Sequence, residues 1–199
     1  MRAIASGFIK GRKEAAQKRL NSHFKYTQHR SRSAQKDRES RSIFSAKEDS
    51  ISRQEATKDI MSHTSRAACF HKLILSPATD EPVNDWKEWT RAVMTDLEKQ
   101  QGHSLTWYAI HHANTEHEHV HVVLAGGAPH PETGKLEPVK IYAQDLRYLE
   151  ERGREHSEHE WSHQIDEFVR EQREQEREER EQEERQQREQ QYDRDDWDR

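Results

Sequence analysis

The chain has 199 residues and a net charge of −5; 36% of the residues are charged and only 30% are hydrophobic. So few apolar residues cannot bury the whole length, and part of the chain is expected to be solvated helix or disorder. One cysteine excludes a disulfide framework and a cysteine-based zinc site, and no apolar run is long enough to span a membrane. We therefore expect a cytoplasmic protein with no membrane insertion.

The N-terminal segment is basic and is predicted to be largely helical. Residues 1–41 contain 12 Lys/Arg against 3 Asp/Glu. A polyanionic partner would meet this segment first, although a solvated basic helix would carry the same charges. Residues 9–30 contain no proline, and their apolar residues lie near one helical face: Ile9, Ala16, Leu20 and Phe24. Residues 31–50, rich in serine and charge, are predicted to be a flexible connection.

A second helix is predicted over residues 53–66, because Ser52 and Glu55 have the spacing of a capping box. The composition then becomes more apolar. Residues 68–75 are predicted to be a buried strand, and a helix is expected to run from a cap at Asn84 or Asp85 to residue 101, before Gly102.

The next segment is predicted to be mainly β-structure. Residues 105–112 and 119–125 are expected to form a hairpin across a turn at residues 114–118. A loop rich in Gly and Pro, a short strand at residues 139–141 and a helix over residues 143–152 complete the predicted elements.

The predicted fold class is α+β, an antiparallel sheet with helices packed on one side of it. Residues 1–154 are expected to form the main domain, with a basic helical segment at 1–66 and a sheet core at 67–154. Residues 155–199 are expected to be a long charged helix or a disordered tail, because residues 151–199 contain 19 Asp/Glu and 10 Lys/Arg and are rich in Gln.

Three histidines around the predicted hairpin are candidate metal ligands. His119 and His121 are separated by one residue, so on a strand they point to the same face. His112 ends the preceding strand and can be brought beside them by the turn. Three imidazoles leave positions open for water and a phosphate oxygen, as in catalytic metal sites. The chain has 14 histidines, so the closely spaced pair alone is weak evidence, and ordinary surface or core histidines remain an alternative.

The stretch from His112 to His121, His-Ala-Asn-Thr-Glu-His-Glu-His-Val-His, resembles the metal motif of plasmid-transfer relaxases and mobilization nucleases. These enzymes, which include T-DNA nicking proteins, belong to the HUH endonuclease superfamily. The resemblance extends to the strands at residues 70–77 and 107–112 and covers roughly residues 24–148. It implies a sandwich fold of the HUH type and a metal-dependent endonuclease that nicks and rejoins single-stranded DNA, with Mg²⁺ or Mn²⁺ as the cofactor.

Relaxases carry a nucleophilic tyrosine before their histidines, and the resemblance assigns this role to Tyr26. The product would be a 5′-phosphotyrosine and a free 3′-hydroxyl. Lys25, Arg30 and Arg32 surround this position and are expected to contact DNA. Glu116 matches an acidic position of the motif and is expected to orient a ligand or relay a proton. The implied partners are single-stranded DNA at an origin of transfer and accessory or coupling proteins.

Three alternatives remain open at this point. Rolling-circle replication initiators share the histidine motif but place tyrosine after it, where Tyr148 is the candidate. Histidine-triad nucleotide hydrolases have a motif similar to residues 117–123, although the charged Glu118 departs from it. The chain could also be a catalytically inactive DNA-binding accessory protein, for which Tyr26 is the discriminating residue.

Overall fold

The computed structural model describes residues 1–29, 41–78, 81–113 and 118–157. Seven strands and four helices are found in this part of the chain. The strands are β1 (Arg2–Ile9), β2 (Phe44–Ser45), β3 (Phe70–Ser76), β4 (Trp107–His112), β5 (His119–Ala125), β6 (Gly127–Pro129) and β7 (Leu136–Pro138). The helices are α1 (Lys13–His29), α2 (Arg53–Ser62), α3 (Trp86–Gln101) and α4 (143–157). None of the described helices has the length and apolar character needed to cross a membrane.

Five strands form one antiparallel sheet in the order β1-β3-β5-β4-β2. Both edge strands come from the N-terminal 66 residues, for which the sequence predicted two helices joined by a flexible connection. The predicted helix over residues 9–30 is correct only from Lys13, because Ile9 is the last residue of β1. The edge strand was missed because its small and polar residues leave one face solvated and give no strong apolar alternation.

Helices cover both faces of this sheet, which corrects the prediction that they lie on one side. Side chains of α3 and α4 pack on one face, and side chains of α1 and α2 pack on the other. Strand β4 shows the division, since Trp107 and Ala109 belong to the first core whereas Tyr108 and Ile110 belong to the second. A central strand buried on both faces has no polar side to alternate with, as expected for a two-sided sandwich.

The helix caps are placed as the sequence predicted. Ser52 and Glu55 form both hydrogen bonds of the capping box at the start of α2. At the start of α3, the side chain of Asp85 accepts hydrogen bonds from the backbone N–H groups of Lys87 and Glu88. Gly102 ends this helix with a φ of 70°, which glycine adopts without strain. Helix α2 is shorter than predicted and ends at Ser62.

Two other predictions differ from the structure. The strand expected at residues 139–141 lies earlier, as β7, and pairs with β6 in a separate two-stranded sheet. In the connection expected to be flexible, residues 41–50 contain β2, and Ile43 and Phe44 are fully buried in the two cores. These two apolar residues outweigh the polar composition around them. The rest of that connection, residues 31–40, and the tail from residue 158 lie outside the described residues.

Gly126 follows β5 directly and is expected to tolerate no side chain. A Cβ at this position would lie 2.0 Å from the carbonyl oxygen of Ala68, an atom of the backbone that cannot rotate away. Replacing Gly126 with Ala should therefore lower the free energy of unfolding by about 3 kcal/mol. Urea denaturation measures this change, and Gly134→Ala in the β6–β7 turn is a control in open space, where only the strain of a positive φ is added. Equal stability losses in the two variants would contradict the prediction.

Candidate metal centre

Three histidines meet at one end of the β4–β5 hairpin. His112 is paired directly with His119 in the ladder, and His121 lies two residues further along β5 on the same face. The ring centroids are 5.2 Å apart for His112 and His119, 4.5 Å for His112 and His121, and 4.8 Å for His119 and His121. Each residue offers a ring nitrogen, and the three nitrogens lie within 4.8 Å of one another. The face that carries them is the one on which α1 and α2 pack.

Helix α1 holds one of these rings in place. The Nε2 atom of His112 lies 2.8 Å from the carbonyl oxygen of Thr27. A carbonyl can only accept a hydrogen bond, so Nε2 carries the proton and Nδ1 presents a lone pair. Ligand histidines commonly donate their second ring N–H to a backbone carbonyl in this way, which sets the tautomer and the ring orientation.

The other two rings face each other, with Nε2 of His119 3.1 Å from Nε2 of His121. Two nitrogens bound at about 2.1 Å to one ion, with an angle near 90–110°, would be separated by about 3.0–3.4 Å. The observed spacing fits a hydrogen bond between the two rings, and it also fits two ligands that share one metal ion. The donor set suits a divalent ion. The three-histidine cluster could thus hold a metal ion.

His23 on α1 is a member of this site that the sequence analysis missed. Its ring lies edge-on to that of His121, 5.9 Å between centroids. Its Nε2 is buried and has no hydrogen-bond partner among the described residues. Burial, with smaller contributions from Lys72 and His112, lowers the pKa of His23 to about 4, so the ring is neutral at physiological pH. No signal in the sequence pointed to it, because His23 is one turn before Thr27 and the contact of Thr27 with His112 is seen only in the structure.

Tyr26 lies on the same turn of α1, next to Thr27 in sequence and three residues after His23. Its side chain is 51% exposed, so a substrate can reach it. Lys25 is also exposed on this helix. The structure thus brings the helix with the predicted nucleophile into contact with two of the three predicted ligands, His112 and His121. Three other predicted site residues, Arg30, Arg32 and Glu116, lie outside the described residues.

His111 points away from the cluster, as expected for the neighbour of a ligand on a strand. It stacks on Trp86 with a centroid distance of 4.3 Å and an interplanar angle of 17°. Burial, with smaller contributions from His112 and His119, lowers the pKa of His111 to about 4. Its Nε2 is 3.4 Å from a carboxylate oxygen of Glu118 but does not meet hydrogen-bond geometry, so we regard this contact as weak.

The other tyrosines in the described part of the chain are placed differently. Tyr148 is on α4, whose Leu149 packs in the core on the opposite face of the sheet from the histidines. Tyr108 donates a hydrogen bond to Asp59 at 2.8 Å, and burial together with this carboxylate raises its pKa. Tyr142 is exposed just before α4. The sheet therefore separates α4 from the cluster, whereas α1 touches it.

No family model and no curated protein sequence matches this chain. The resemblance of the histidine stretch to relaxases is therefore a hypothesis that rests on the motif and on the geometry around it.

Proposed function

We propose that this protein is a metal-dependent endonuclease that nicks and rejoins single-stranded DNA in plasmid mobilization, with Tyr26 as the nucleophile. The observation that carries the proposal is the hydrogen bond between His112 and the carbonyl of Thr27. It ties a candidate metal ligand to the residue that follows Tyr26. Covalent catalysis requires the nucleophile to be held close to the scissile phosphate, and α1 carries Tyr26 next to the residue that contacts His112.

In the proposed reaction, Oη of Tyr26 attacks the scissile phosphorus. A bond from Tyr26 to the 5′-phosphate forms, the bond to the 3′-oxygen breaks, and that oxygen leaves as a 3′-hydroxyl after taking a proton. The phenol proton passes to water. A phosphodiester replaces a phosphodiester, so the step can run backwards and rejoin the strand.

A phenol is largely protonated at neutral pH because its usual pKa is about 10. The bound ion would supply Lewis-acid polarisation of the scissile phosphate, which makes phosphorus a better target. His112, His119 and His121 would hold it. His23 stands beside His121, and its buried Nε2, which has no hydrogen-bond partner in the described part of the chain, would be available to a bound phosphate oxygen or water. Lys25, Arg30 and Arg32 are proposed to contact the DNA backbone.

The identity of the metal is part of the proposal. The resemblance implies Mg²⁺ or Mn²⁺. Three imidazoles suit later transition metals such as zinc, whereas Mg²⁺ prefers oxygen ligands. Between the two implied ions, we therefore propose Mn²⁺ as the better fit, with Zn²⁺ as a competitor in binding experiments.

Two alternatives from the sequence receive less support. A rolling-circle initiator would use Tyr148, which is on a helix across the sheet from the histidines. A histidine-triad hydrolase needs no metal, whereas the three nitrogens here converge at ligand spacing. An inactive DNA-binding protein would keep the same geometry, so activity must be measured directly.

The test uses the full chain and single-stranded oligonucleotides that tile the transfer origin of its own plasmid or element. With Mn²⁺ present we expect cleavage at one position and a covalent protein–DNA adduct that maps to Tyr26 by mass spectrometry. With EDTA we expect neither product. Metal-independent cleavage, or an adduct on His119, would contradict the proposal. Binding without cleavage under all conditions would favour the inactive DNA-binding protein.

A further inference from the structure

The sheet face that carries the histidines continues past them onto β3 and the edge strand β1. His121 is opposite Ile74, and Ile74 is opposite Ile4. Directly opposed residues in an antiparallel ladder have their side chains on the same face. One step along, Arg2 is opposite Ser76, which is two residues from Ile74 and thus on this face as well. We call these residues, together with Lys72, the β1–β3 strip: Arg2, Ile4, Lys72, Ile74 and Ser76.

The β1–β3 strip is open to solvent. Ile4 is 45% exposed and Arg2 is also exposed, while Lys72 and Ile74 are half-buried. The packing residues of α1, which include Leu20 and Phe24, lie over β4, β5 and the start of β3 and leave the outer strip uncovered. A row of side chains therefore runs from a candidate metal ligand to the edge of the sheet across about 10 Å, two strand spacings.

One side of α1 borders this strip. The ring of His23 packs edge-on against His121, and His121 is paired with Ile74 of β3, so this side of the helix lies next to the strip. Arg19 and Tyr26 are four residues before and three after His23, so they lie on the same side of the helix, and both are exposed. The candidate nucleophile thus stands at the border between the histidine cluster and the strip.

The charged side chains of the strip itself, Arg2 and Lys72, are both positive. One carboxylate lies at its outer edge, where Oε1 of Glu150 accepts a hydrogen bond from the backbone N–H of Ala3 at 3.0 Å. Strands β1 and β3 contain no Asp or Glu, and they contribute Arg2 and Lys72. The acidic residue next to the cluster, Glu118, turns its carboxylate toward His111 on the other face, at 3.4 Å. Only its backbone carbonyl contacts the strip, where it accepts a hydrogen bond from Ser76 at 3.1 Å.

We propose that the β1–β3 strip binds single-stranded DNA and leads it to the histidine cluster. Bases lie against Ile4 and Ile74, and phosphates contact Arg2, Lys72 and Arg19. Unpaired bases expose flat faces that need apolar contact, while their backbone needs positive charge, and the strip offers both. A length of about 10 Å holds roughly three stacked bases. The choice of DNA as the nucleic acid rests on the proposed function.

The first test measures binding of a fluorescent oligo(dT) in EDTA, where no nicking takes place, as salt is varied. The variant carries Arg2→Gln and Lys72→Gln. Each lost phosphate contact should lower the slope of log K against log salt by about 0.7 and weaken binding about eightfold near 50 mM salt. Lys135→Gln, an exposed lysine in the β6–β7 turn, is the matched control and should leave the slope unchanged.

The second variant, Ile4→Ala, removes apolar contact and no charge. It should weaken binding severalfold at every salt concentration and leave the slope unchanged, because no counterion release is lost. Circular dichroism confirms that each variant is folded. The proposal would be overturned if both strip variants bound the oligonucleotide with wild-type affinity. It would also be overturned if Lys135→Gln lost as much affinity as they do. Equal effects on double-stranded DNA would also overturn it, since paired bases cannot lie on the strip.

The proposal that the strip binds DNA and the proposal that the protein is a nuclease can be rejected independently. If the strip variants lose DNA binding and the wild-type protein does not cleave DNA in Mn²⁺, DNA binding by the strip is supported and the nuclease activity is rejected. If the wild-type protein cleaves DNA and the strip variants bind DNA normally, the nuclease activity is supported and DNA binding by the strip is rejected.

Discussion

Tyr26→Phe is expected to abolish the covalent protein–DNA adduct and to lower strand cleavage by about 10⁴-fold or more, as for loss of other nucleophiles. The substitution removes only the phenolic oxygen that would attack phosphorus. Because the side chain is 51% exposed, the ring makes a small contribution to the core. Metal affinity and single-stranded DNA affinity should stay within about twofold of the wild type, since neither the histidines nor the basic residues change. The adduct is measured on denaturing gels with end-labelled oligonucleotide.

Tyr142→Phe is the matched control for this experiment. Tyr142 is 54% exposed, so the same atom is removed from an equally accessible tyrosine, one that lies just before α4. It should leave adduct formation unchanged. Tyr148→Phe forms a third arm: loss of the adduct there, with a normal adduct in Tyr26→Phe, would assign the nucleophile to α4 and support the rolling-circle alternative.

His119→Ala is expected to remove most of the metal affinity. Partners that only orient a ligand histidine typically contribute 10–100-fold in affinity, so removal of one of three direct ligands should cost more than about 100-fold. Cleavage should fall in proportion when Mn²⁺ is below saturation. Isothermal titration with Mn²⁺, and separately with Zn²⁺, measures the affinity. His103→Ala is the control, because His103 lies beyond the end of α3 and the contact of its ring with Glu137 is long, at 3.8 Å.

A thermal readout separates metal binding from catalysis in the same pair of variants. An ion that binds the folded state stabilises it by about 2.7 kcal/mol at 100 times its dissociation constant. The wild type and His103→Ala should therefore melt at a higher temperature with Mn²⁺ than with EDTA, whereas His119→Ala should melt at the same temperature in both. A metal-dependent shift that survives in His119→Ala would place the ion elsewhere.

Local signals in the sequence predicted several features correctly. The capping box at Ser52 and the cap at Asp85 depend on hydrogen bonds between near neighbours, so they can be recognised without tertiary structure. The shared face of His119 and His121 follows from strand geometry alone. The hairpin that places His112 beside them was predicted because the two strands are close in sequence.

Features that depend on distant partners could not be found in this way. Strand β1 exists because its backbone pairs with β3 some seventy residues later, as in the pairing of Ile4 with Ile74. His23 belongs to the candidate site because α1 packs on the face of β5 that carries His121. Neither contact leaves a periodic trace in the local sequence, since the residues around them are mostly small or polar.

By itself, the sequence determined the types of the main elements and the three candidate ligands, because propensity, capping and strand alternation act over a few residues. Only the tertiary structure decided that helices cover both faces of the sheet and that Thr27 holds His112. It also decided that Tyr148 is separated from the histidines by the sheet, while the helix of Tyr26 contacts His112 and His121. The physical reason is that packing joins residues far apart in the chain, and the choice of face depends on the whole set of buried surfaces.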